Sequence, residues 1–173
     1  EGVKEHSITS DGFFELEYLP KKVAVVGAGY IAVELAGVLC TLGSETHLVV
    51  RKCGALRSFD PMIQEKLEAE MKREGMVIHK ETNGVKSIEV DDAGKKMLHL
   101  HNGEELGGLD EVIMAVGRVP NTEGLNLSAV KVNTNDKNLI TVDEYSNTST
   151  EGIYALGDVC GKVELTPMAI AAG

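Results

Sequence analysis

A short motif near the start of the chain constrains the fold more than any other feature. Residues 23–26 are an apolar, mostly β-branched run, and residues 27–32 read GAGYIA, which fits the pattern G-x-G-x-x-G/A. Such a run is typical of a strand buried on both faces of a parallel sheet. In this pattern Gly27 allows a sharp turn, Gly29 lets a pyrophosphate approach the backbone, and the small Ala32 lets a helix pack closely on the strand. The motif predicts a doubly wound, Rossmann-like α/β fold that binds a dinucleotide at a helix N-terminus.

The residues after the motif continue the alternation of strands and helices. Apolar residues recur at helical spacing from Ile31 to Leu42, before Gly43, and residues 47–50 predict a second buried strand. Asp60 is placed to cap a helix that starts at Pro61 and runs to about residue 74, and residues 76–79 predict a third strand. The order β-α-β-α-β supports a parallel sheet.

Later segments predict an inserted antiparallel element and a second domain. Residues 85–91 and 96–101 alternate in polarity around a turn, which favours a β-hairpin or meander. Residues 112–116 predict another buried strand, which ends at Gly117, and residues 138–143 and 152–156 predict further strands. We divide the chain into a lead-in segment at 1–20, a nucleotide-binding domain at 21–120, and part of a second domain at 121–173.

The ends of the chain suggest that it belongs to something longer. The sequence starts at Glu1, and residues 167–173 are an apolar stretch that looks like a helix cut short. We therefore interpret the chain as a fragment of a larger protein, in which the second domain is truncated.

Composition narrows the classes of partner. The net charge is −10, which argues against a broad nucleic-acid footprint or an anionic membrane surface. No apolar run approaches the ~20 residues of a membrane span. The three cysteines form no CxxC pair, so we interpret them as unpaired thiols. His99 and His101 share one face of a predicted strand, but with no third ligand evident we expect a solvated face and no metal site.

The end of the second strand discriminates between dinucleotides. An NAD site usually places Asp or Glu there to bind the ribose 2′-hydroxyl. This chain instead has Arg51 and Lys52, with Arg57 six residues after Arg51. A carboxylate would repel a 2′-phosphate, whereas guanidinium groups bind it in a bidentate manner. The pattern predicts NADP(H).

Several segments together resemble the glutathione reductase family of class I pyridine nucleotide-disulfide oxidoreductases. The similar segments are residues 10–14, 26–37, 56–60 (LRSFD), 116–122 (VGRVPNT) and 152–173. The resemblance covers nearly the whole chain and is weakest across residues 80–110. It implies a homodimeric flavoprotein that uses NADPH and FAD to reduce oxidised glutathione.

The resemblance also implies a flavin-binding motif in the C-terminal part of the chain. The family's pattern T-x6-A-x-G-D falls on Thr148, Ala155, Gly157 and Asp158. By this likeness Asp158 hydrogen-bonds the ribityl chain of FAD, and Leu165 and Thr166 lie beside the isoalloxazine ring.

Roles around the nicotinamide are implied in the same way. Tyr30 corresponds to a gate that covers the flavin, and Glu34 and Glu164 correspond to residues that place or contact the nicotinamide. The residues that would line the NADPH channel are Ala28, Ile31 and Gly117.

The family's redox-active cysteine pair and catalytic histidine find no counterpart in this chain. We therefore expect no catalytic residue here and no disulfide reduction by the chain alone. Relatives that reduce thioredoxin, trypanothione or dihydrolipoamide remain alternatives, as does a non-catalytic NADP-binding module. Arg51 and Arg57 count against the dihydrolipoamide type, which resembles an NAD user. We expect a cytoplasmic location, with the mitochondrion as the alternative.

Overall fold

A computed structural model describes all 173 residues, which divide into two compact units. The first unit is Glu1–Gly117 and the second is Arg118–Gly173. The first unit has two buried clusters and the second has one, and the units are described separately below.

A four-stranded parallel sheet forms the centre of the first unit. Its strands are β1 (Lys22–Val26), β2 (Glu45–Val49), β3 (Val77–His79) and β7 (Glu111–Met114), in the order β3-β2-β1-β7. In the register, Val26 lies opposite Val49 on one side and Met114 on the other. The predicted parallel sheet is confirmed, and the carboxyl ends of its strands share one edge.

Two helices cover one face of this sheet. They are α2 (Tyr30–Thr41) and α3 (Pro61–Arg73), and a shorter helix, α1 (Ser10–Phe14), precedes β1. The Asp60 side chain caps α3 by accepting from the Met62 amide at 2.9 Å, as predicted. The buried stripe of α2 is Ala32, Leu35, Ala36 and Leu39. The predicted stripe was too wide at its C-terminal end, because Val38 and Leu42 are exposed.

An antiparallel meander covers the other face. Its strands are β4 (Val85–Val90), β5 (Lys96–Leu100) and β6 (Glu105–Leu109), and β5 lies between the other two. Its apolar residues Ile88, Leu98, Leu100 and Leu109 pack against Ala24, Val26, Val49 and Val112 of the sheet. The predicted insertion is confirmed as a three-stranded meander.

The second unit has little regular structure. It contains three 3₁₀ helices, at Glu123–Leu125, Leu127–Val130 and Gly157–Cys160, and one α-helix, α4 (Thr166–Ala172). The strands predicted at 138–143 and 152–156 are wrong, because each contributes only one bridge, Ile140 with Thr134 and Tyr154 with Asn147. Backbone groups beside these segments form hydrogen bonds within turns and not between strands. The Asn138 amide, for example, donates to the Asn135 carbonyl.

None of the helices has the length and apolar character needed to cross a bilayer.

The first glycine of the motif gives a stability prediction. At Gly27, φ is +155°, and an added Cβ would lie 2.3 Å from the Ala115 carbonyl oxygen and 2.9 Å from the Ala32 Cβ. We expect Gly27→Ala to lower the free energy of unfolding by about 2 kcal/mol or more, through strain and overpacking. Denaturant unfolding of the full-length protein measures this.

The matched control is Gly37→Ala, within α2. An added Cβ meets nothing within 4 Å there, so we expect the alanine to stabilise the helix by about 0.5–1 kcal/mol. Equal effects of the two substitutions would contradict the close approach at Gly27.

Candidate functional site

The carboxyl edge of the parallel sheet brings together three loops from separate parts of the sequence. Residues 27–29 follow β1, residues 50–60 follow β2, and residues 115–117 follow β7. After β1 the chain passes to α2 on one face of the sheet. β7 follows the meander, which covers the other face. In open α/β sheets, ligands bind in the crevice outside the carboxyl ends, where strand order reverses.

The glycine loop is shaped by close contact on one side and open space on the other. The Gly27 amide donates to the Val49 carbonyl at 3.0 Å, which fixes the turn out of β1. A Cβ at Gly29 would meet nothing within 4 Å, so the surface beside that residue is open. Gly29 is also the N-cap of α2, and no side chain caps the helix. The free amides and the positive end of the helix dipole make this a suitable place for phosphate.

Ala28, Tyr30, Ile31 and Glu34 lie just before α2 or within its first turns, whereas Gly117, also predicted to line the nucleotide channel, follows β7. Tyr30 is 43% exposed at the helix start, and Glu34 is exposed one turn later. Ile31 is half-buried and packs against the core, as does Ala28, while Ala32 is fully buried. Tyr30 and Glu34 therefore lie on an accessible part of the helix and Ala32 on its packed face.

Arg51, Lys52 and Arg57 are all exposed in the loop between β2 and α3. The Leu56 amide donates to the Ala28 carbonyl at 2.7 Å, so this loop is tied directly to the glycine loop. Leu56 adopts a left-handed conformation, with φ at +51°, next to Arg57. Non-glycine residues in that region are uncommon and often mark functional loops.

A second loop, not recognised from sequence, supports the backbone beneath Arg51. The carbonyls of Arg51 and Lys52 accept hydrogen bonds from the amides of Asn83 (3.2 Å) and Glu81 (3.0 Å). Thr82 is fully buried, and its hydroxyl donates to the Val50 carbonyl at 3.2 Å. Residues 81, 83 and 84 of this loop have left-handed backbone conformations. In the sequence, only the pair Asn83-Gly84 indicates such a turn.

The second unit holds the residues of the predicted flavin motif. Asp158 lies in the 3₁₀ helix Gly157–Cys160, where Gly157 has φ at +75°. The Thr148 hydroxyl donates to the Ile153 carbonyl at 2.8 Å and stabilises the turn before Ala155, which is buried. The motif's threonine and alanine thus build the turn and core that place Asp158.

Arg118 is a partner of Asp158 that sequence reasoning missed. Its Nη2 donates to the Asp158 Oδ2 at 2.8 Å, and its Nη1 lies 3.9 Å from the Glu164 Oε2. All three side chains are roughly half exposed. The guanidinium therefore holds the two carboxylates of the predicted site together. Leu165 and Thr166 follow at the start of α4 and are exposed.

The remaining candidates do not form a reactive centre. Cys40, Cys53 and Cys160 are free thiols, and burial raises the pKa of Cys160. His101 lies beyond the end of β5, and the His99 Nδ1 is 3.0 Å from the Glu105 Oε1. No group of three or more His, Cys, Asp or Glu side chains is placed to hold a metal ion.

Comparison with known proteins gives the chain a consistent set of relatives. All of residues 1–173 match the family described as pyridine nucleotide-disulphide oxidoreductase. The chain is 45% identical over 169 residues to a glutathione reductase of Schizosaccharomyces pombe, and 50% identical over 171 residues to one of Yarrowia lipolytica. Each alignment covers 98% of this chain but 36% of the relative, so the chain spans about a third of their length.

Solved structures agree with these sequence matches. The HOCl-induced flavoprotein disulfide reductase RclA from Escherichia coli superposes with a TM-score of 0.91 at 24% identity, over 99% of this chain and 39% of that one. LpdA from Mycobacterium tuberculosis superposes with a TM-score of 0.85 at 28% identity, over 99% and 37%. The first likeness shows the fold alone.

The bond between the two loops gives a prediction. Proline at position 56 has no N–H to donate to the Ala28 carbonyl, and its ring excludes a positive φ. We expect Leu56→Pro to lower the free energy of unfolding by roughly 2 kcal/mol or more. Leu56→Gly keeps the N–H and suits the left-handed backbone, so it should cost clearly less. Thermal unfolding of both variants provides the comparison. Equal losses of stability would mean that the Leu56 side chain stabilises the protein and that its hydrogen bond to the Ala28 carbonyl does not.

Proposed function

The chain belongs to the pyridine nucleotide-disulphide oxidoreductase family, and on that premise we propose that it is the NADPH-binding part of a flavoprotein that reduces oxidised glutathione. Two curated relatives, each 45% or more identical, are named glutathione reductase. The reaction would oxidise one NADPH and convert one glutathione disulfide into two thiols. The cysteine pair and histidine that this needs would come from other parts of the full-length protein.

The observation that carries the nucleotide assignment is the pairing of an open glycine loop with exposed arginines. Gly29 leaves room for a pyrophosphate at the uncapped start of α2. Arg51 and Arg57 are exposed in the next loop, which the Leu56 amide ties to the glycine loop. We propose that these two arginines bind the 2′-phosphate that distinguishes NADPH from NADH.

Bound NADPH and FAD would supply the hydride and electron transfer, while the residues of this chain bind and orient them. We propose that Tyr30 and Glu34, on the accessible side of α2, face the nicotinamide, and that Ala28, Ile31 and Gly117 line its channel. Asp158 would accept a hydrogen bond from FAD, with Leu165 and Thr166 beside the isoalloxazine ring, and Glu164 would contact the nicotinamide. The Arg118 guanidinium, which donates to the Asp158 Oδ2, would orient that carboxylate.

The choice of glutathione over thioredoxin, trypanothione or dihydrolipoamide depends on the names of the relatives. We also propose a homodimer, with a cytoplasmic location and the mitochondrion as the alternative, on the family resemblance alone. A non-catalytic NADP-binding module has less support, because it would have no use for the turn that places Asp158.

Steady-state kinetics of the full-length protein with oxidised glutathione test this proposal. We expect kcat/KM for NADPH to exceed that for NADH by at least about tenfold, worth about 1.4 kcal/mol. The double variant Arg51→Ala, Arg57→Ala should lose most of that preference through a higher KM for NADPH. The contacts to the 2′-phosphate are the same in the bound substrate and in the transition state, so their loss raises KM and does not lower kcat.

The matched control is Arg73→Ala, which removes an exposed arginine of α3 that pairs with Glu70 and Glu74. It should leave the preference unchanged. Equal use of NADH by the unaltered protein would contradict the arginine assignment, and turnover of lipoamide or thioredoxin but not glutathione would contradict the substrate.

A substitution at Asp158 separates a flavin contact from a structural ion pair. Because Asp158 and Arg118 are half exposed, losing their pair should cost less than about 1 kcal/mol of stability. If Asp158 also binds FAD, Asp158→Asn should weaken flavin binding by roughly tenfold or more, as expected for a charge-assisted hydrogen bond. Flavin release, followed by absorbance during dialysis of the full-length protein, measures this.

The control is Asp136→Asn, at an exposed turn of the same unit, which should retain flavin fully. Retention of flavin by Asp158→Asn at the level of this control would show that Asp158 has only its structural role.

A further inference from the structure

Four side chains form a continuous line of contacts that runs across two neighbouring strands of the parallel sheet to the meander. The Glu45 Oε1 lies 3.1 Å from the His47 Nε2, and the His47 Nδ1 lies 3.0 Å from the His79 Nε2. The His79 Nδ1 then lies 2.9 Å from the Glu104 Oε2. Each imidazole therefore has a carboxylate at one nitrogen and the other imidazole at its second nitrogen.

The line joins three parts of the first unit. Glu45 and His47 belong to β2, His79 to β3, and Glu104 to the turn between β5 and β6. His47 is buried, at 7% exposure, whereas the carboxylates at the two ends are about half exposed. The two rings are inclined by only 25°, with centroids 5.2 Å apart. Because the His47 Nδ1 and the His79 Nε2 are much closer than the ring centroids, these two nitrogens face each other across the edges of the rings.

The outer contacts require a proton on each outer nitrogen. Hydrogen bonds from His47 and Lys22 lower the pKa of Glu45, and those from His79 and Asn102 lower the pKa of Glu104. Both carboxyl groups are therefore ionised near neutral pH and can only accept. The His47 Nε2 and the His79 Nδ1 must donate to them.

Two neutral rings cannot satisfy the inner contact as well. A neutral imidazole carries one N–H, which the carboxylate already takes, so the two facing nitrogens would present lone pairs to each other at 3.0 Å. One further proton turns this repulsion into an N–H···N hydrogen bond. We propose that His47 and His79 share one additional proton, so that the pair carries a single positive charge between Glu45 and Glu104.

A second additional proton would break the arrangement, because both inner nitrogens would then be donors. The surroundings of His47 oppose it: burial lowers the pKa of His47 most, the hydrogen bond from Glu45 raises it, and the charges of His79 and Lys22 lower it further. From the meander side, the Glu104 carboxylate faces His79, and Asn102 donates to Glu104 at 2.7 Å.

The shared proton makes the attachment of the meander to the sheet depend on pH in both directions. In the proposed arrangement the shared proton replaces a lone-pair repulsion between the two rings by a hydrogen bond, so this stabilisation is lost when the proton leaves as pH rises. The second proton is disfavoured in the folded protein, so stabilisation is also lost as pH falls through that lower transition. The His79 carbonyl accepts from the Val50 amide at 2.8 Å, so the pair also anchors the strand end before Arg51.

Histidine-specific hydrogen–deuterium exchange at the ring C2 position, read by mass spectrometry, tests the proposal in the full-length holoprotein. It does not depend on activity, so it stands apart from the proposed function. We expect the pair to titrate in two separated steps, an upper and a lower one, and burial, which lowers the pKa of His47, to place the lower step below the ordinary range of histidine. Glu104→Gln should lower the upper transition by about one pH unit or more.

The matched control is Glu105→Gln, one residue along, which removes a carboxylate that contacts His99 instead. It should leave both transitions of the pair unchanged. Glu45→Gln, at the exposed opposite end, repeats the test and should also lower the upper transition. The proposal is wrong if the two rings titrate independently near the ordinary value of about 6.5. It is also wrong if a chelator alters the transitions, because a metal ion would then join the rings.

Discussion

The close approach of backbone and helix at Gly27 is the constraint on which the site depends. The Ala115 carbonyl and the Ala32 methyl occupy the space where any side chain at position 27 would lie. That approach lets α2 start directly at the end of β1, with its first amides at the carboxyl edge of the sheet. A side chain there would push the helix away, and the loops after β1, β2 and β7 would no longer meet in one crevice.

The loop between β2 and α3, which carries Arg51 and Arg57, is supported by elements that are distant in sequence. The carbonyls of Val50, Arg51 and Lys52 are all bound by the loop after β3, and the Leu56 amide is bound by the glycine loop. These bonds leave the arginine side chains exposed while fixing the backbone that carries them. A preorganised backbone lowers the entropic cost of binding a phosphate, which supports the proposal that these arginines bind the 2′-phosphate of NADPH.

Local sequence signals were sufficient where a few adjacent residues decide the structure. The Asp60-Pro61 cap, the end of α3 near residue 74 and the turn between β4 and β5 form where they were predicted. The two wrong strand predictions lie in the second unit, where residues 138–143 and 152–156 make single bridges. Strand propensity expresses itself through pairing partners, and in those segments turns take up the backbone groups first.

What the sequence alone determined is the chemistry and its order: a glycine motif after a buried strand, cations after the next strand, and a C-terminal motif that ends in Asp158. Those features depend on residue type and short spacing, which sequence reports directly. What only the tertiary structure decided is which distant groups meet. Arg118 reaches Asp158 forty positions away, and His47 reaches His79 because two strands pair in one register. Such meetings depend on packing, which no local pattern encodes.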